Sequence, residues 1–353
     1  MHPRPYRPLR AALLAVSLAV PAPVLARDAT DLPSVAPNDN RTPAGRMERG
    51  ELVVRLEART GVWQPDGPQG PRYTVAAFAE PGGPLQTPGP LIRATAGTRV
   101  RVVVRNTLAT PMWLYGLGAS RGTQGDSVEI APGDAREFRF VASDAGTYYY
   151  AARTVMNSFP FPRMNDDSQL HGAIVVDRRG ASRRDRIFVI SEWVTIDTTR
   201  RSGLGPNPSL SINGRSWPNT ERLHATQGDT LRWRVVNLSN LDHPMHLHGF
   251  YFDVDARGDG KRDTVYAPAQ RRKVVTEAVV PGTTMAMTWV PEKSGNWIFH
   301  CHFAGHITAP DRFEMDRKMP PRPVSSREPH GAHGAHGDPG AGLVRTASLA
   351  TVP

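Results

Sequence analysis

The stretch that decides the fold occurs twice, as PMWLYG at residues 111–116 and as PMHLHG at residues 244–249. The two copies share their frame, but the first carries Trp and Tyr where the second carries two histidines. Two further matched pairs occur in the same order, ATAGTRVRVVVRN (94–106) with ATQGDTLRWRVVN (225–237), and GTYYYAAR (146–153) with GNWIFHCH (295–302). Matched segments in the same order predict two copies of one domain.

The pattern within each copy is that of β-strands. Residues 99–105 alternate between polar and apolar side chains with a period of two, and β-branched residues dominate. Short apolar runs punctuated by Gly and Pro, with few long helical patterns, predict an all-β fold of two tandem sandwiches. We place the domains at residues 50–178 and 183–320, with an arginine-rich join near 178–186.

The two ends of the chain differ from the middle. Residues 1–26 combine arginines with the apolar run 11–20 and read as a signal peptide cleaved after Ala26, which predicts an exported protein, periplasmic or secreted. The run is too short to span a bilayer comfortably, so no stable membrane insertion is expected. Residues 27–49 are interpreted as a flexible leader, and residues 321–353 as a disordered tail. The tail contains HGAHGAHG, which either traps metal weakly or is ordinary flexible chain.

The net charge of +10 does not point to nucleic acid. The arginines are scattered among acidic residues. Neither a nucleic-acid-binding motif nor a basic patch interleaved with aromatic residues occurs in the sequence. We therefore expect no nucleic-acid partner.

The single cysteine, Cys301, is the residue that says most about a metal site. A lone Cys is most often a small buried hydrophobe, but here it lies between two histidines and is followed by His306. Together with His243 these residues offer one thiolate and two imidazoles, the ligand set of a type 1 copper site. Zinc also accepts Cys and His, but structural zinc sites usually use several cysteines.

Four more histidines form a second candidate site. Side chains at positions i and i+2 of a strand share a face, so His300 with His302, and His246 with His248, form same-face pairs. Cys301 points to the opposite face of the same strand. The sequence therefore predicts two metal sites placed back to back across one strand.

The motifs HPMHLHGF and HCHFAGH resemble the copper motifs of laccase-like multicopper oxidases, and the likeness covers roughly residues 50–315. It implies cupredoxin-like Greek-key domains, a copper cofactor, and type 1 ligands at His243, Cys301 and His306. His246 matches a type 2 ligand of the family, and the matches to type 3 ligands are His248, His300 and His302. In the family, electrons pass from the cysteine to its flanking histidines and then to dioxygen at a trinuclear copper cluster.

The first domain departs from this family pattern. Where the resemblance implies further histidines, the sequence has Trp113, Tyr115, Ala151 and Arg153, so the trinuclear site is incomplete. His171 lies outside both motifs and is interpreted as a structural residue. In two-domain members the cluster forms between subunits, but a homo-oligomer of this chain would bring the same depleted first domain. A homo-oligomer stays one of the open possibilities for a partner.

The axial position of the type 1 site also departs from the family. Members usually have Met, Leu or Phe ten residues after the cysteine, whereas Asp311 stands there. Phe313 and Met315 are alternatives, and no axial ligand is assigned.

The resulting hypothesis is an exported copper-binding, multicopper-oxidase-like oxidoreductase. It performs one-electron chemistry on an unknown small-molecule or protein donor, with dioxygen as a candidate acceptor. Three alternatives stay open: an oxidase whose cluster is completed by another protein, an electron-transfer protein without oxidase activity, and a copper-sequestering protein.

Overall fold

The computed structural model describes residues 32–118, 126–155, 163–194, 209–303, 306 and 347–352. Within this part of the chain, helical structure is confined to 3-10 turns such as Asn165–Asp167 and Pro268–Gln270 and to the single helical residue His306. The all-β prediction is confirmed. No helix among the described residues is long and apolar enough to cross a membrane. The predicted signal peptide lies outside the described residues.

The first β-sandwich contains the strands that precede residue 178. Its first sheet contains β1 (Val35–Pro37), β2 (Arg46–Glu48), β3 (Glu51–Trp63), β4 (Tyr73–Ala79), β5 (Leu85–Thr87), β7 (Thr98–Asn106) and β10 (Ala135–Ala142). Their order is β1-β5-β4-β3-β7-β10, with β2 paired to β3. Its second sheet contains β6 (Gly89–Thr95), β8 (Met112–Tyr115), β9 (Val128–Ile130), β11 (Gly146–Arg153) and β12 (His171–Asp177), in the order β6-β12-β11-β8-β9.

The second β-sandwich repeats this design. Its first sheet contains β13 (Arg186–Trp193), β14 (Ser209–Ile212), β16 (Leu231–Asn237), β18 (Phe252–Gly258), β19 (Asp263–Val265), β20 (Arg272–Val274) and β22 (Thr284–Trp289). Their order is β14-β13-β16-β22-β18-β19, with β20 paired to β18. The other sheet contains β15 (Arg222–His224), β17 (His243–Leu247), β21 (Thr276–Val279), β23 (Gly295–Cys301) and β24 (Ala347–Val352), in the order β15-β24-β23-β17-β21.

The last strand corrects the prediction that the whole tail is disordered. β24 pairs antiparallel with β23 and parallel with β15, just as β12 pairs with β11 and β6 in the first sandwich. Without it, β23 and β15 would expose unpaired backbone N–H and C=O groups. The second domain therefore extends to Val352, beyond the predicted end at residue 320. Residues 321–346, including HGAHGAHG, lie outside the described part.

The predicted flexible leader is also wrong for residues 32–49. β1 pairs parallel with β5, and Val35 is buried against Trp63. The Asn40 side chain donates hydrogen bonds to Asn213 Oδ1 at 3.1 Å and to the carbonyl of Ile187 at 3.4 Å. The polar composition of this segment concealed that the side-chain amide of Asn40 bonds to the second sandwich.

Each sandwich has its own core, and the two are joined by apolar and ionic contacts. Tyr149 and Val175 on the outer face of β11 and β12 pack in one buried cluster with Ile187 and Val236 of the second sandwich. Beside it, the buried Arg93 guanidinium contacts Asp177 at 2.8 Å and Asp185 at 2.7 Å. This interface fixes how β11 lies relative to the second sandwich.

Candidate metal centres

The pairing of β17 with β23 sorts the ligand-type residues onto two faces of one sheet. Met245 lies opposite Cys301, and His246 lies opposite His300. Met245 and Cys301 belong to the second core, which is built around Trp233, Trp289 and Phe299. The strand alternation that buries Cys301 therefore turns the neighbouring histidines to the other face.

The first group consists of His243, Cys301 and His306. One ligand atom from each residue lies within 4.8 Å of the others. Cys301 Sγ is 3.1 Å from His306 Nδ1, and the two imidazole ring centroids are 4.7 Å apart. His243 and Cys301 are fully buried, whereas His306 is partly exposed. The structure thus assembles the predicted Cys-His-His set at the end of β23.

The hydrogen bonding of His243 fits a metal ligand. Its Nε2 is 2.8 Å from the hydroxyl oxygen of Ser239, while its Nδ1 is buried without a hydrogen-bond partner. A buried nitrogen without a partner costs roughly 1–3 kcal/mol, and a metal ion at Nδ1 would remove that cost. An imidazole that ligates through one nitrogen usually donates the other N–H to an oxygen, and Ser239 Oγ supplies it.

The protonation of this group also suits metal binding. Burial, followed by the neighbouring His306, lowers the pKa of His243 to about 3, so its lone pair is available at neutral pH. Burial raises the pKa of the Cys301 thiol to about 11. The thiol is therefore protonated until a metal arrives, and metal binding must release that proton.

The second group consists of His246, His248 and His300, whose ligand atoms also lie within 4.8 Å of one another. The Nε2 atoms of His248 and His300 are 2.9 Å apart. His302, the fourth predicted residue, is exposed and lies beside the group, with its ring centroid 5.0 Å from that of His246. All four predicted histidines therefore lie on one side of the sheet.

Oxygen atoms orient two of these imidazoles. His300 Nδ1–H donates to the carbonyl oxygen of Cys301 at 2.7 Å, and His246 Nδ1 is 2.8 Å from Thr276 Oγ1. Because the carbonyl of Cys301 can only accept, the proton of neutral His300 lies on Nδ1 and the lone pair for a metal lies on Nε2. Burial lowers the pKa of His300 to about 4 and lowers that of His246, so both are neutral at pH 7. The hydrogen bond to Cys301 also connects the two groups directly.

The matching positions of the first sandwich hold an ion pair. Trp113 lies opposite Arg153, and Tyr115 lies opposite Ala151. Arg153 Nε contacts Asp167 Oδ2 at 3.1 Å, and both side chains are almost completely buried. Across the described part of the chain, close groups of metal-ligating side chains occur only in the second sandwich.

His171, interpreted as structural, lies on β12 of the first sandwich and belongs to neither group. It is fully buried, and neither ring nitrogen has a hydrogen-bond partner. Burial and then the charge of Arg163 hold the pKa of His171 well below its usual range. It is a neutral ring packed in the protein interior.

The structure adds residues that sequence reasoning missed. Ser239 and Thr276 contact candidate ligands, and Asn240 lies between the sandwiches. The polar run SNLD before His243 signals a turn, but nothing in it shows which side chain orients the ligand. The axial candidates Asp311, Phe313 and Met315 lie outside the described residues.

Two β-sandwiches with a Cys-His-His group on one face of a strand and a histidine group on the other define a copper protein of the cupredoxin type. Two family models, both described as multicopper oxidase, match residues 84–180 and 191–310, which together exceed half of the chain. The chain belongs to the multicopper oxidase family, and its cofactor is copper.

Individual proteins show the same relationship. A Kuenenia stuttgartiensis protein described as a probable nitrite reductase-hydroxylamine oxidoreductase fusion is 26% identical over 75% of this chain and 30% of its own length. Laccase-6 of Oryza sativa subsp. japonica is 31% identical over 49% of this chain and 31% of its own length. The chain thus spans less than a third of these curated relatives. In fold, it resembles the blue copper oxidase of Nitrosomonas europaea, with a TM-score of 0.59, 23% identity, and 73% and 81% of the two chains covered.

Proposed function

We propose that this protein is an exported one-electron redox protein with a type 1 copper site formed by His243, Cys301 and His306. The observation that carries the proposal is the buried Nδ1 of His243, which lacks a hydrogen-bond partner beside a cysteine and a second histidine. Copper bound there supplies a centre that alternates between two oxidation states by one electron. The donor is a small molecule or another protein.

The chain's own residues hold this centre and connect it to the second group. Cys301 is fixed on β23 and His243 on β17, while the partly exposed His306 lies on the side from which a donor can approach. His300 continues the path for an electron from Cys301 to the second group, because it is both the covalent neighbour of Cys301 and hydrogen-bonded to its carbonyl oxygen. An electron accepted at the first group therefore has a short route to the second.

The second group supports one further metal ion more readily than a cluster of three. It offers His246, His248 and His300, with His302 alongside, while the matching first-sandwich positions hold the Arg153–Asp167 pair. A guanidinium is a hydrogen-bond donor only and has no lone pair with which to ligate a metal ion. A complete trinuclear cluster would need ligands from another protein, because a second copy would bring the same ion pair.

The proposal is tested by loading the full chain with copper and counting the metal against visible and EPR spectra. We expect about one or two coppers per chain and an intense thiolate-to-copper band. Reduction of this band by a phenolic donor without oxygen uptake would indicate an electron carrier, and oxygen uptake would indicate an oxidase. Four coppers per chain with a coupled binuclear absorption would refute the incomplete second site.

A second candidate function is the one-electron reduction of nitrite. It is favoured by the three-imidazole group, which suits one copper ion, and by the relative described as a probable nitrite reductase fusion. Nitrite would take one electron and two protons to give nitric oxide and water. Nitric oxide release from nitrite by the reduced, copper-loaded protein, lost in His248→Ala, would support it; no release from the parent protein would exclude it.

A further inference from the structure

Asn240 connects the two sandwiches next to a candidate copper ligand. The backbone N–H of Arg163 donates to Asn240 Oδ1, and Asn240 Nδ2 donates to the Arg163 carbonyl at 2.6 Å. The side-chain amide thus pairs with the main chain of the first sandwich in both directions. This is a specific contact, because only an amide offers a donor and an acceptor in this arrangement.

Arg163 is itself firmly held in the first sandwich. Its side chain is fully buried, and its guanidinium donates to the carbonyl oxygens of Leu170 at 2.9 Å, Asp167 at 3.0 Å and Ala152 at 3.4 Å. Ala152 belongs to β11, the strand that corresponds to the ligand strand β23. Asn240 is therefore linked, through Arg163, to the strand of the first domain on which the family's histidines are absent.

Glu192 holds Asn240 from a third side. This β13 residue is 5% exposed, and its carboxyl accepts hydrogen bonds from the Asn240 backbone N–H at 3.1 Å and from Asn240 Nδ2. Asn240 is thus fixed by main chain from one domain and by a carboxyl group from the other.

The turn around Asn240 carries the contact on to His243. Asn237 Nδ2 donates to the Leu241 carbonyl at 2.7 Å, and the Ser239 hydroxyl donates to Asn237 Oδ1 at 2.8 Å. Ser239 Oγ in turn lies 2.8 Å from His243 Nε2. Moving Asn240 would move its neighbour Ser239, and with it the oxygen that orients the imidazole.

The corresponding turn of the first sandwich shows that this segment is an addition. Asn106 makes the same bonds as Asn237, from Nδ2 to the carbonyls of Thr110 at 2.8 Å and Ile130 at 2.9 Å. Yet Asn106 and Met112 are six positions apart, whereas Asn237 and Met245 are eight positions apart. The second turn is longer by two residues and places an amide against the other domain.

We infer that Asn240 is a positioning residue for His243, through which the first sandwich controls the geometry of the Cys-His-His centre. This inference rests on the proposed type 1 site. It gives the ligand-poor first domain a role in orienting the ligand of the second.

The test compares Asn240→Ala with Ser239→Ala and with Asn296→Ala, an exposed asparagine on β23 as the matched control. Each full-length, metal-free protein is titrated with Cu(II), and the affinity, EPR spectrum and reduction potential are recorded. Loss of groups that orient a ligand typically weakens metal binding by about 10- to 100-fold. We expect that loss in Ser239→Ala, about tenfold in Asn240→Ala with an altered EPR spectrum, and none in Asn296→Ala.

A second variant and a second measurement keep the inference testable. Asn240→Asp retains the volume and the acceptor for Arg163 but loses the donor groups, so a shift in the same direction is expected if Asn240→Ala does not fold. In the metal-free proteins, NMR should show faster solvent exchange of the His243 Nε2–H in both variants. Unchanged exchange and unchanged Cu(II) affinity in both would overturn the inference. A parent protein without the visible thiolate band would count against the proposed function alone, because the exchange measurement needs no metal.

Discussion

The β8–β11 pair of the first sandwich and the β17–β23 pair of the second share one backbone arrangement but carry different side chains on their outward faces. Both pairs lie in sheets of the same strand order, and Asn106 and Asn237 close the preceding turns with the same kind of hydrogen bonds. The outward face of the first pair carries an ion pair, and that of the second carries imidazoles. Backbone pairing and the inward apolar residues maintain the framework, so the outward positions can change without unfolding the sheet.

The largest expected effect comes from Cys301, whose counterpart in the first sandwich is Ala152. Cys301→Ser should abolish the visible thiolate-to-copper band, because a hydroxyl cannot supply the sulfur ligand. Absorption and EPR spectra of the copper-loaded variant measure this. Met245→Leu, on the opposite strand in the same core, is the matched control and should keep the band. Retention of the band in Cys301→Ser would show that Cys301 is not a copper ligand.

Deleting residues 347–353 should remove β24 and leave β23 as an edge strand. β24 pairs with all of Gly295–His300, so the loss of these backbone hydrogen bonds should cost on the order of 5 kcal/mol of unfolding free energy. Denaturant unfolding of the truncated chain measures this cost, with removal of Pro353 alone as the control. Stability equal to that of the full chain would show that β24 does not complete the second sandwich as β12 completes the first.

Arg153→Met tests whether the ion pair replaces a metal half-site. The substitution leaves the Asp167 carboxylate buried without its guanidinium, and breaking a buried pair from one side costs about 3–5 kcal/mol. Adding Asp167→Asn should recover a large part of this loss, because the unpaired charge disappears. Urea denaturation of both variants checks the prediction. A double variant no more stable than the single one would show that the charge of Asp167 does not depend on Arg153.

Glu192→Gln probes the contact between the sandwiches through pH. Burial raises the pKa of Glu192 from 4.5 to about 7, so between these values the folded protein keeps a proton that the unfolded chain releases. The contribution of Glu192 to stability is therefore complete below about pH 4.5 and is lost as the pH rises to about 7, by roughly 3 kcal/mol. Denaturant midpoints across this range should decline less steeply in Glu192→Gln. Identical pH profiles for Glu192→Gln and the parent protein would show that Glu192 is not the group that keeps the proton.

Several features of fold and site were predictable because they depend on local spacing. The period-two alternation at residues 99–105 predicts β7, and the positions of His300, Cys301 and His302 predict which side chains share a face. The failures at residues 32–49 and 347–352 have one cause. Both segments are polar or rich in small residues, and the strands β1 and β24 within them form by pairing with strands far away in the sequence.

The sequence by itself determined the repeated β domain, and it predicted the candidate copper ligands of the second copy and the absence of histidine at the matching positions of the first. Those features follow from residue identity and from the two-residue period of a strand. Only the tertiary structure decided which contacts form at the matching positions of the first sandwich and which residues orient His243. The Arg153–Asp167 pair and the Arg163–Asn240–Glu192 contacts join residues from different segments of the chain. Such contacts leave no periodic pattern, because they depend on how the two sandwiches pack together.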